Sequence, residues 1–338
     1  MNLDAIPVFI REKIGKNLHQ KFAHPLEQLK FQIQQLFEGF HLFDKNNPYV
    51  TVEENFDDLL IPQNCNSRHP DQVFYLDNKH VLRTHTSAHQ IEILKMGYKK
   101  FLIAGDVYVK DTIERSRYPV MHQIEGVCVY PDANNIDRRL HIKMEALFDN
   151  LGVEYRKCAS YYQYANPSWE YEVKWEGKWI EVAGCGIIRP EILNKIQGVG
   201  YSFGINLDRL AMARWGIPDI RLFWSEDDRF LNQFKKISKG LKYKDSDMKA
   251  PHIKSLSMYD MTDPLMLNDL FLMIRETSGD LVESITKPDD FTVSSGKRSV
   301  SLKVSYRSPM DKVLYMDEVE DIHSKIQEKI KKLNIRVR

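Results

Sequence analysis

The sequence predicts an α+β protein with two domains. The larger would be a mostly antiparallel sheet with flanking helices, and the smaller would have the element order βαββαβ. Runs of apolar residues with period two alternate with runs of helical period along the chain. Residues 235–251 are rich in Lys, Gly, Ser and Asp, which is typical of a linker between residues 1–234 and residues 252–338. The length of 338 residues also agrees with about two domains.

The composition is that of an ordinary globular protein, with 43% hydrophobic and 28% charged residues. Because the formal net charge is only +1, binding of a nucleic acid would need a local basic patch. The 4 cysteines form no CxxC pair, which favours a reducing compartment and argues against a structural zinc, so no metal ligands are predicted. No apolar run approaches the ~20 residues of a membrane span, so no membrane association is expected.

The first strong helical pattern covers Pro25 to Phe40, with Pro25 suited to its first turn and Gly39 to its end. The later stretch LRTHTSAHQIEILKMG places hydroxyl side chains before a second helix. Ser87 is a candidate N-cap of that helix. Polar groups at a helix start can also bind a small zwitterion, so both interpretations of Ser87 are open at this point.

An antiparallel hairpin is predicted for FLIAGDVYVKDTIERSRYPVMHQIEGVCVY, where two apolar strands flank the charged loop from Lys110 to Arg117. Gln123 and Glu125 alternate on one face of the second strand, so both should point into the same space. A glutamine offers a donor and an acceptor, and a glutamate offers negative charge for an ammonium group. The loop by itself could simply be solvated.

The stretch from Gly200 to Phe230 predicts a strand that leads into a short amphipathic helix. Gly204 would let the backbone come close to a ligand. Arg209 lies in the first turns of the helix among apolar neighbours, where a guanidinium needs an anion. That anion could be the nearby carboxylate of Asp208 or a bound phosphate. Two more strands, rich in aromatic residues, are predicted to meet at Glu176-Gly177.

After the linker, the pattern of strand, helix, two strands, helix and strand is that of a ferredoxin-like domain. Asp317 is predicted to cap the last helix. Such a domain by itself says little about function. The predicted elements are Ile253–Tyr259, Pro264–Thr277, Asp280–Thr286, Ser299–Tyr306, Asp317–Leu333 and Ile335–Val337.

Taken together, these stretches resemble the phenylalanine enzymes among the class II aminoacyl-tRNA synthetases. Gly-x-x-x-Asp-Arg followed by PDIRLF resembles motif three, and the hairpin with its ending MHQIEG resembles motif two. HPLEQLKFQI, NFDDLLIP and SRHPDQVFYL look like the opening of the catalytic domain. SGDLVE and the later SLKVSYR look like the ferredoxin-fold anticodon-binding domain of the single-chain organellar enzymes. The resemblance implies a catalytic domain in residues 1–234 and an anticodon-binding domain in residues 252–338.

The resemblance implies ATP-dependent activation of phenylalanine, or of a related aromatic amino acid, and its transfer to tRNA, with ATP and Mg²⁺ as cofactors. Arg209 would grip the ATP phosphates and act as a catalytic residue. His85 and Ser87 would hold the amino and carboxylate groups of the amino acid. The other substrate-binding residues that the resemblance implies are Gln123, Glu125, Tyr162, Tyr164, Gly184 and Ser202.

The hairpin departs from the family pattern in the ATP site. The family's phosphate-binding arginine falls on Val109, its phosphate-contacting histidine on Arg117 and its adenine-stacking phenylalanine on Met121. Met121 would still pack on adenine. Arg117, predicted as a second catalytic residue, or Arg115 or Lys110 would supply the missing cation. The predicted ATP contacts are therefore Arg209, Met121, Arg115, Arg117 and Gly204.

For tRNA, the resemblance points to Lys297, Arg298, Lys303 and Arg307 in the second domain, although lysines there could simply form a solvated face. The tRNA would be specific for phenylalanine, and the protein a monomer or homodimer in the cytoplasm or the mitochondrial matrix. The departures at Val109 and at Tyr162-Gln163-Tyr164 leave a second function open. A repurposed paralogue would bind tRNA or an aromatic amino acid without charging tRNA, or would pass the acyl group to another acceptor.

Overall fold

The computed structural model describes residues 3–132, 134–194, 196–236, 238, 240–244, 249–261, 267–292, 298–310 and 312–337. The chain forms two compact units. The first contains residues 1–6, 13–109 and 120–243, and the second contains residues 7–12, 110–119 and 244–338. The domain limits drawn from the sequence stay predictions. None of the described helices is long and apolar enough to cross a membrane.

A seven-stranded sheet with the strand order β1-β4-β5-β9-β8-β7-β6 forms the centre of the first unit. All neighbours are antiparallel except β1 and β4. The strands β4, β5 and β9 are buried on both faces, which explains their nearly continuous apolar sequences. The strands are β1 (His41–Phe43), β4 (Lys100–Tyr108), β5 (Val120–Tyr130), β6 (Tyr155–Tyr162), β7 (Ala165–Trp175), β8 (Lys178–Ile188) and β9 (Val199–Asn206), and β2 (Tyr49–Thr51) pairs separately with β3 (His80–Leu82).

The helices of the first unit have clear local causes. In α2, His24 is the N-cap and its ring nitrogen accepts from the Leu26 amide at 3.2 Å. The helix ends at Leu36, before the predicted end at Phe40, because Phe37 already has a non-helical backbone. With α2 (Pro25–Leu36), the helices of this unit are α3 (Val52–Asn55), α4 (Gln90–Lys95), α5 (Ile136–Leu151), α6 (Pro190–Leu193), α7 (Leu207–Trp215) and α8 (Asp228–Leu231), and α1 (Val8–Arg11) belongs to the second unit.

Neither of the two residues considered as helix caps from the sequence is an N-cap. Ser87 does not cap a helix, because it lies inside the 3₁₀ turn Thr86–His89 and its hydroxyl donates to Glu125. Asp317 does not cap the last helix either. That helix begins at Met316, and the carboxylate of Glu318 accepts from the Tyr315 amide at 3.0 Å. The edge strand β6 is also present where the sequence pattern predicted no strand.

The second unit confirms the ferredoxin-like prediction. Its antiparallel sheet has the order β11-β12-β10-β13. Leu256, Val304, Ile274 and Ile326 belong to one core that joins the sheet to both helices. The elements are β10 (His252–Met261), α9 (Leu267–Ser278), β11 (Val282–Thr292), β12 (Arg298–Tyr306), α10 (Met316–Lys331) and β13 (Arg336–Val337). Residue Lys297 of the tRNA-binding prediction lies outside the described residues.

The tip of the β4–β5 hairpin, residues 110–119, packs within the second unit. Ile113 is buried in the core of that unit, and its carbonyl accepts from the Ile285 amide at 2.9 Å. The ammonium group of Lys110 lies 2.8 Å from the carboxylate of Asp269. The tip is therefore not the solvated loop of the simplest interpretation, and its apolar Ile113 was the signal in the sequence.

Candidate active site

A cavity of about 540 Å³ opens over β5, β8 and β9 of the first unit. The strand β5 contributes alternate residues to it, and the 3₁₀ turn and the start of α7 contribute the rest of its polar wall. All the predicted amino-acid contacts and three of the predicted ATP contacts line this one cavity. They are His85, Ser87, Met121, Gln123, Glu125, Tyr162, Tyr164, Gly184, Ser202, Gly204 and Arg209.

Glu125 is the negative group of the cavity. Its side chain is only 2% exposed, and its Oε2 accepts from the hydroxyl of Ser87 and, at 3.4 Å, from the hydroxyl of Thr86. Its Oε1 has no hydrogen bond within the described part of the protein. Burial raises the pKa of Glu125 to about 7, although the two hydroxyls act in the opposite direction. A buried carboxylate with one open oxygen is suited to an ammonium group.

Gln123 is oriented by the neighbouring turn. Its Oε1 accepts from the Thr86 amide at 2.8 Å, which directs its amide nitrogen towards Gly204. A Cβ atom at Gly204 would lie only 2.6 Å from that nitrogen. A larger residue at position 204 would therefore displace the amide group of Gln123. Ser202, two residues earlier on β9, is buried and lines the cavity.

His85 is the residue directly before the 3₁₀ turn and lines the cavity. Burial lowers its pKa to about 4, so its ring is neutral at pH 7. The side chain of Asn55 supports this corner, because its amide nitrogen donates to the Thr84 hydroxyl at 2.9 Å and its oxygen accepts from the Thr84 amide at 3.0 Å. A neutral imidazole here can exchange hydrogen bonds with a substrate without adding charge.

Two tyrosines form the aromatic side of the cavity. The rings of Tyr162 and Tyr164 are stacked with their centroids 5.4 Å apart. The Tyr162 hydroxyl lies 3.4 Å from Oε1 of Glu181, to which it donates, and it covers Gly184, where a Cβ atom would come within 2.6 Å of it. Burial raises the pKa of both phenols, so both stay neutral. The cavity thus combines apolar ring faces with hydroxyl groups.

Arg209 projects from the start of α7 into the cavity. The helix is capped by Asn206, whose side chain accepts from the Arg209 amide at 2.9 Å and whose Nδ2 lies 3.2 Å from the sulfur of Met121. The guanidinium donates to the Glu181 carbonyl at 3.2 Å. Among the described lining residues, Arg209 is the one lysine or arginine. Arg209 therefore supplies the positive charge for an anion that enters the cavity.

Asp208, the carboxylate that the sequence suggested as a partner for Arg209, contacts a different residue. It is fully buried and accepts from the backbone amide of His122 at 2.6 Å and from its Nδ1 at 3.1 Å. These two bonds join β5 to the first turn of α7. They fix the helix that carries Arg209 against the strand that carries Gln123 and Glu125.

The tip arginines predicted as ATP contacts do not line the cavity. Arg117 lies in the second unit, where its guanidinium is 3.1 Å from the carboxylate of Asp111 and 3.5 Å from that of Glu114. Arg115 lies in the same segment. Val109 is also absent from the described lining, whereas Val107 is part of it. Arg115 and Arg117 are therefore not among the described residues that line the cavity, and their contact with ATP stays a prediction.

Several lining residues were missed from the sequence. Asn206 precedes the helix of Arg209 and could have been found as an N-cap. Cys65 and Ser67 come from a loop without regular strands or long helices and offered no signal. The Ser67 hydroxyl donates to the Cys65 sulfur at 3.2 Å, and this bond lowers the pKa of that thiol.

Comparison with known proteins identifies relatives of this sequence. The model for the tRNA synthetases class II core domain (F) matches residues 10–234. A phenylalanine–tRNA ligase of chloroplasts and mitochondria from Arabidopsis thaliana is 38% identical over 98% of this chain and 82% of its own. The mitochondrial phenylalanine–tRNA ligase of Dictyostelium discoideum is 34% identical over 97% and 88%. That of Mus musculus is 34% identical over 94% and 82%.

Proposed function

The chain belongs to the single-chain phenylalanine–tRNA ligases, which carry the class II synthetase core, and we propose from its cavity how it performs their reaction. It activates phenylalanine with ATP and transfers the acyl group to tRNA. One cavity holds both a buried carboxylate, Glu125, and a guanidinium, Arg209, and the proposed roles rest on this observation. These groups are complementary to the ammonium group of an amino acid and to the phosphates of ATP.

The amino acid would bind with its ammonium group at the open oxygen of Glu125. Ser87 and Thr86 orient that carboxylate, and Gln123 and His85 offer further hydrogen bonds beside it. The aromatic ring would lie against Tyr162 and Tyr164, with Ser202 and Gly184 at the floor. The hydroxyls of this wall would tolerate a polar aromatic side chain, so a related aromatic amino acid is a second substrate to test.

The phosphates of ATP would bind at Arg209, because a planar guanidinium can donate two hydrogen bonds at once to phosphate oxygens. Met121 lies beside the helix cap and would pack on adenine. Glu181 also lines the cavity, where its main-chain carbonyl accepts from Arg209, and its carboxylate would offer an oxygen ligand to a Mg²⁺ ion. That ion would neutralise phosphate charge when it is bound.

The reaction needs no nucleophilic side chain. A carboxylate oxygen of phenylalanine attacks the α-phosphorus of ATP, the bond to the β-phosphate oxygen breaks, and pyrophosphate leaves. A hydroxyl of the terminal ribose of tRNA then attacks the acyl carbon, and AMP leaves. The enzyme contributes positioning and stabilisation of the charge that builds up on the phosphate.

ATP–pyrophosphate exchange with each amino acid in turn tests this proposal. Phenylalanine should support exchange, and charging of tRNA should follow. Binding of tRNA or phenylalanine without exchange would indicate the repurposed paralogue instead, a function that the ligase relatives do not favour. The names of those relatives agree with an organellar location, and among the compartments considered we propose the mitochondrial matrix. A monomer or homodimer stays a prediction.

The tip arginines stay predicted ATP contacts, and the hairpin offers a direct test. Val109→Arg restores a guanidinium at the position where the family has one, so it should raise the rate of exchange. Arg117→Ala should lower it roughly ten-fold, the order of one charge-assisted contact. Val109→Arg should rescue part of that loss. If Arg115→Ala and Arg117→Ala both leave exchange intact, neither arginine replaces the missing cation.

We propose that the outer face of the second unit's sheet contacts tRNA. Of the predicted basic residues, Arg298 is paired with Asp290 at 2.7 Å and Arg307 with Glu283. Lys303 is exposed on the central strand β12, opposite Ser255 and Thr286 on the neighbouring strands. Lys303 is therefore the residue of this set that is best placed for a phosphate.

Lys303→Glu should weaken tRNA binding, and the slope of log affinity against log salt should become shallower by about 0.9 for each phosphate that the protein no longer neutralises. Filter binding over a salt series measures both effects. Lys325→Glu is the matched control, because Lys325 is exposed on α10 and already paired with Asp321 at 2.6 Å. Equal reductions in affinity for the two variants would argue for a diffuse charge effect instead of a contact at Lys303.

A further inference from the structure

Three buried side chains meet behind the candidate active site. His19 lies on a 3₁₀ turn, Leu18–Gln20, and Asp106 and His122 lie opposite each other on β4 and β5. Their exposed fractions are 0%, 1% and 0%. The proposed reaction uses none of them.

The atoms that face one another in this cluster lack hydrogen bonds. Among the described residues, both ring nitrogens of His19, Oδ1 of Asp106 and Nε2 of His122 have no hydrogen-bond partner. Buried polar atoms of this kind are paired in the large majority of cases. Several such atoms in one place indicate that a ligand completes the cluster.

The distances fit a metal ion better than direct hydrogen bonds. Nδ1 of His19 lies 3.5 Å from Oδ1 of Asp106, and Nε2 of His122 lies 3.6 Å from the same oxygen. The three ligand atoms, one from each residue, all lie within 4.8 Å of one another. Normal hydrogen bonds are roughly 2.7–3.2 Å long. Ligands about 2.0–2.1 Å from a tetrahedral ion are instead about 3.3–3.4 Å apart.

The surroundings also suit a metal. The second nitrogen of His122, Nδ1, faces the Asp208 carboxylate at 3.1 Å, and a carboxylate behind a ligand histidine is a common arrangement at zinc. A guanidinium, that of Arg83, is also near, and its Nε donates to the Asp106 carbonyl at 2.7 Å. The two negative charges of Asp106 and Asp208 exceed its single positive charge, so the surroundings favour a cation.

We propose that His19, Asp106 and His122 bind a divalent transition-metal ion of the zinc class. Asp106 also lines a cavity of about 390 Å³, together with Arg83, Asn17 and Gln20 among others, whereas His19 and His122 are not among its described lining residues. Zinc accepts this combination of two imidazoles and one carboxylate. No local pattern in the sequence indicates the site, because the three ligands come from three separate segments.

The ion would have a structural role. It joins the N-terminal segment to the hairpin, and His122 lies between Met121 and Gln123, which line the active-site cavity.

The test is the metal content of the full-length protein, measured by plasma mass spectrometry without added ATP. The protein should retain about one equivalent of zinc through dialysis against a weak chelator. After removal of zinc with a strong chelator, added Co²⁺ should give the intense visible bands of a tetrahedral site and raise the melting temperature. A protein that holds no zinc and takes up neither Zn²⁺ nor Co²⁺ would overturn the proposal.

Variants locate the ion. His19→Asn removes one ligand with little change in size and should reduce zinc content to about a tenth or less, and Asp208→Asn should weaken zinc binding by roughly 10–100-fold. His141→Ala is the matched control in the same unit, since this histidine contacts the Tyr171 hydroxyl at 3.1 Å and lies outside the cluster. Zinc content that is unchanged in both His19→Asn and Asp208→Asn would place the ion elsewhere and contradict the proposal.

Discussion

Replacing Arg209 by alanine should reduce ATP–pyrophosphate exchange by about 10²–10³-fold, the loss expected for one contact to developing transition-state charge. Arg209 is the one lysine or arginine among the described residues that line the cavity, and Val109 cannot replace it. Because the side chain is only partly buried and projects into the cavity, the melting temperature should change little. Exchange kinetics and thermal melting measure the two effects.

Two further variants show whether charge or geometry is responsible. Arg209→Lys keeps the charge without the planar fork, so its rate should lie between those of wild type and alanine. Arg214→Ala is the matched control on the same helix, because Arg214 donates to the Leu151 carbonyl and lines no part of the cavity. Normal exchange in Arg209→Ala would show that another group holds the phosphates.

The KM for phenylalanine should fall about ten-fold as the pH rises from 6 to 8, with little change in kcat. Glu125 has a pKa of about 7, raised by burial, and only its ionised form attracts an ammonium group. The groups that face it are the hydroxyls of Ser87 and Thr86 and the neutral phenol of Tyr164. Exchange kinetics over this pH range measure the effect.

Glu125→Gln is the corresponding control. It should raise KM roughly 10–100-fold at pH 8, the order of a missing charge-assisted hydrogen bond, and should abolish the pH dependence. A KM that still falls with pH in this variant would assign the titration to another group. A collapse of the melting temperature with normal binding would mean that Glu125 is a structural residue.

The raised pKa of Glu125 also predicts how the stability of the folded protein depends on pH. The folded-state pKa of Glu125 is raised from 4.5 to about 7, so the folded protein holds this proton more tightly than the unfolded chain. This contribution is fully present below pH 4.5 and is lost as the pH rises through about 7, at a total cost of about 3 kcal/mol. Glu125→Gln should lack this loss and melt no lower than wild type at pH 8.

Prediction from the sequence succeeded where local periodicity controls position. Gln123 and Glu125 share a face because β5 is a regular strand, and Arg209 enters the cavity because α7 begins at Leu207. The ferredoxin-like domain followed from the order of its elements. The information that predicts each single strand or helix lies within about ten neighbouring residues.

Contacts between distant segments could not be predicted in this way. Ser87 satisfies the ordinary pattern of a helix cap, but the buried carboxylate of Glu125, 38 residues later, takes its hydroxyl. The charged tip of the hairpin looks like a loop, although Ile113 packs in a core formed by residues beyond 250. His19, Asp106 and His122 converge for the same reason: the fold, and not their spacing, brings them together.

The divided sequence of the second unit has a consequence for synthesis of the protein. Residues 110–119 belong to a unit whose other main segment begins at residue 244. While the ribosome makes the remaining chain, at roughly 5–20 residues per second, Ile113 and Tyr118 stay without their final partners for tens of seconds. The strands of the hairpin can pair early, but its tip cannot pack until the rest of the second unit has been synthesised. The active-site hairpin would therefore stay incompletely folded until translation ends. Chaperones would bind the nascent chain in that state.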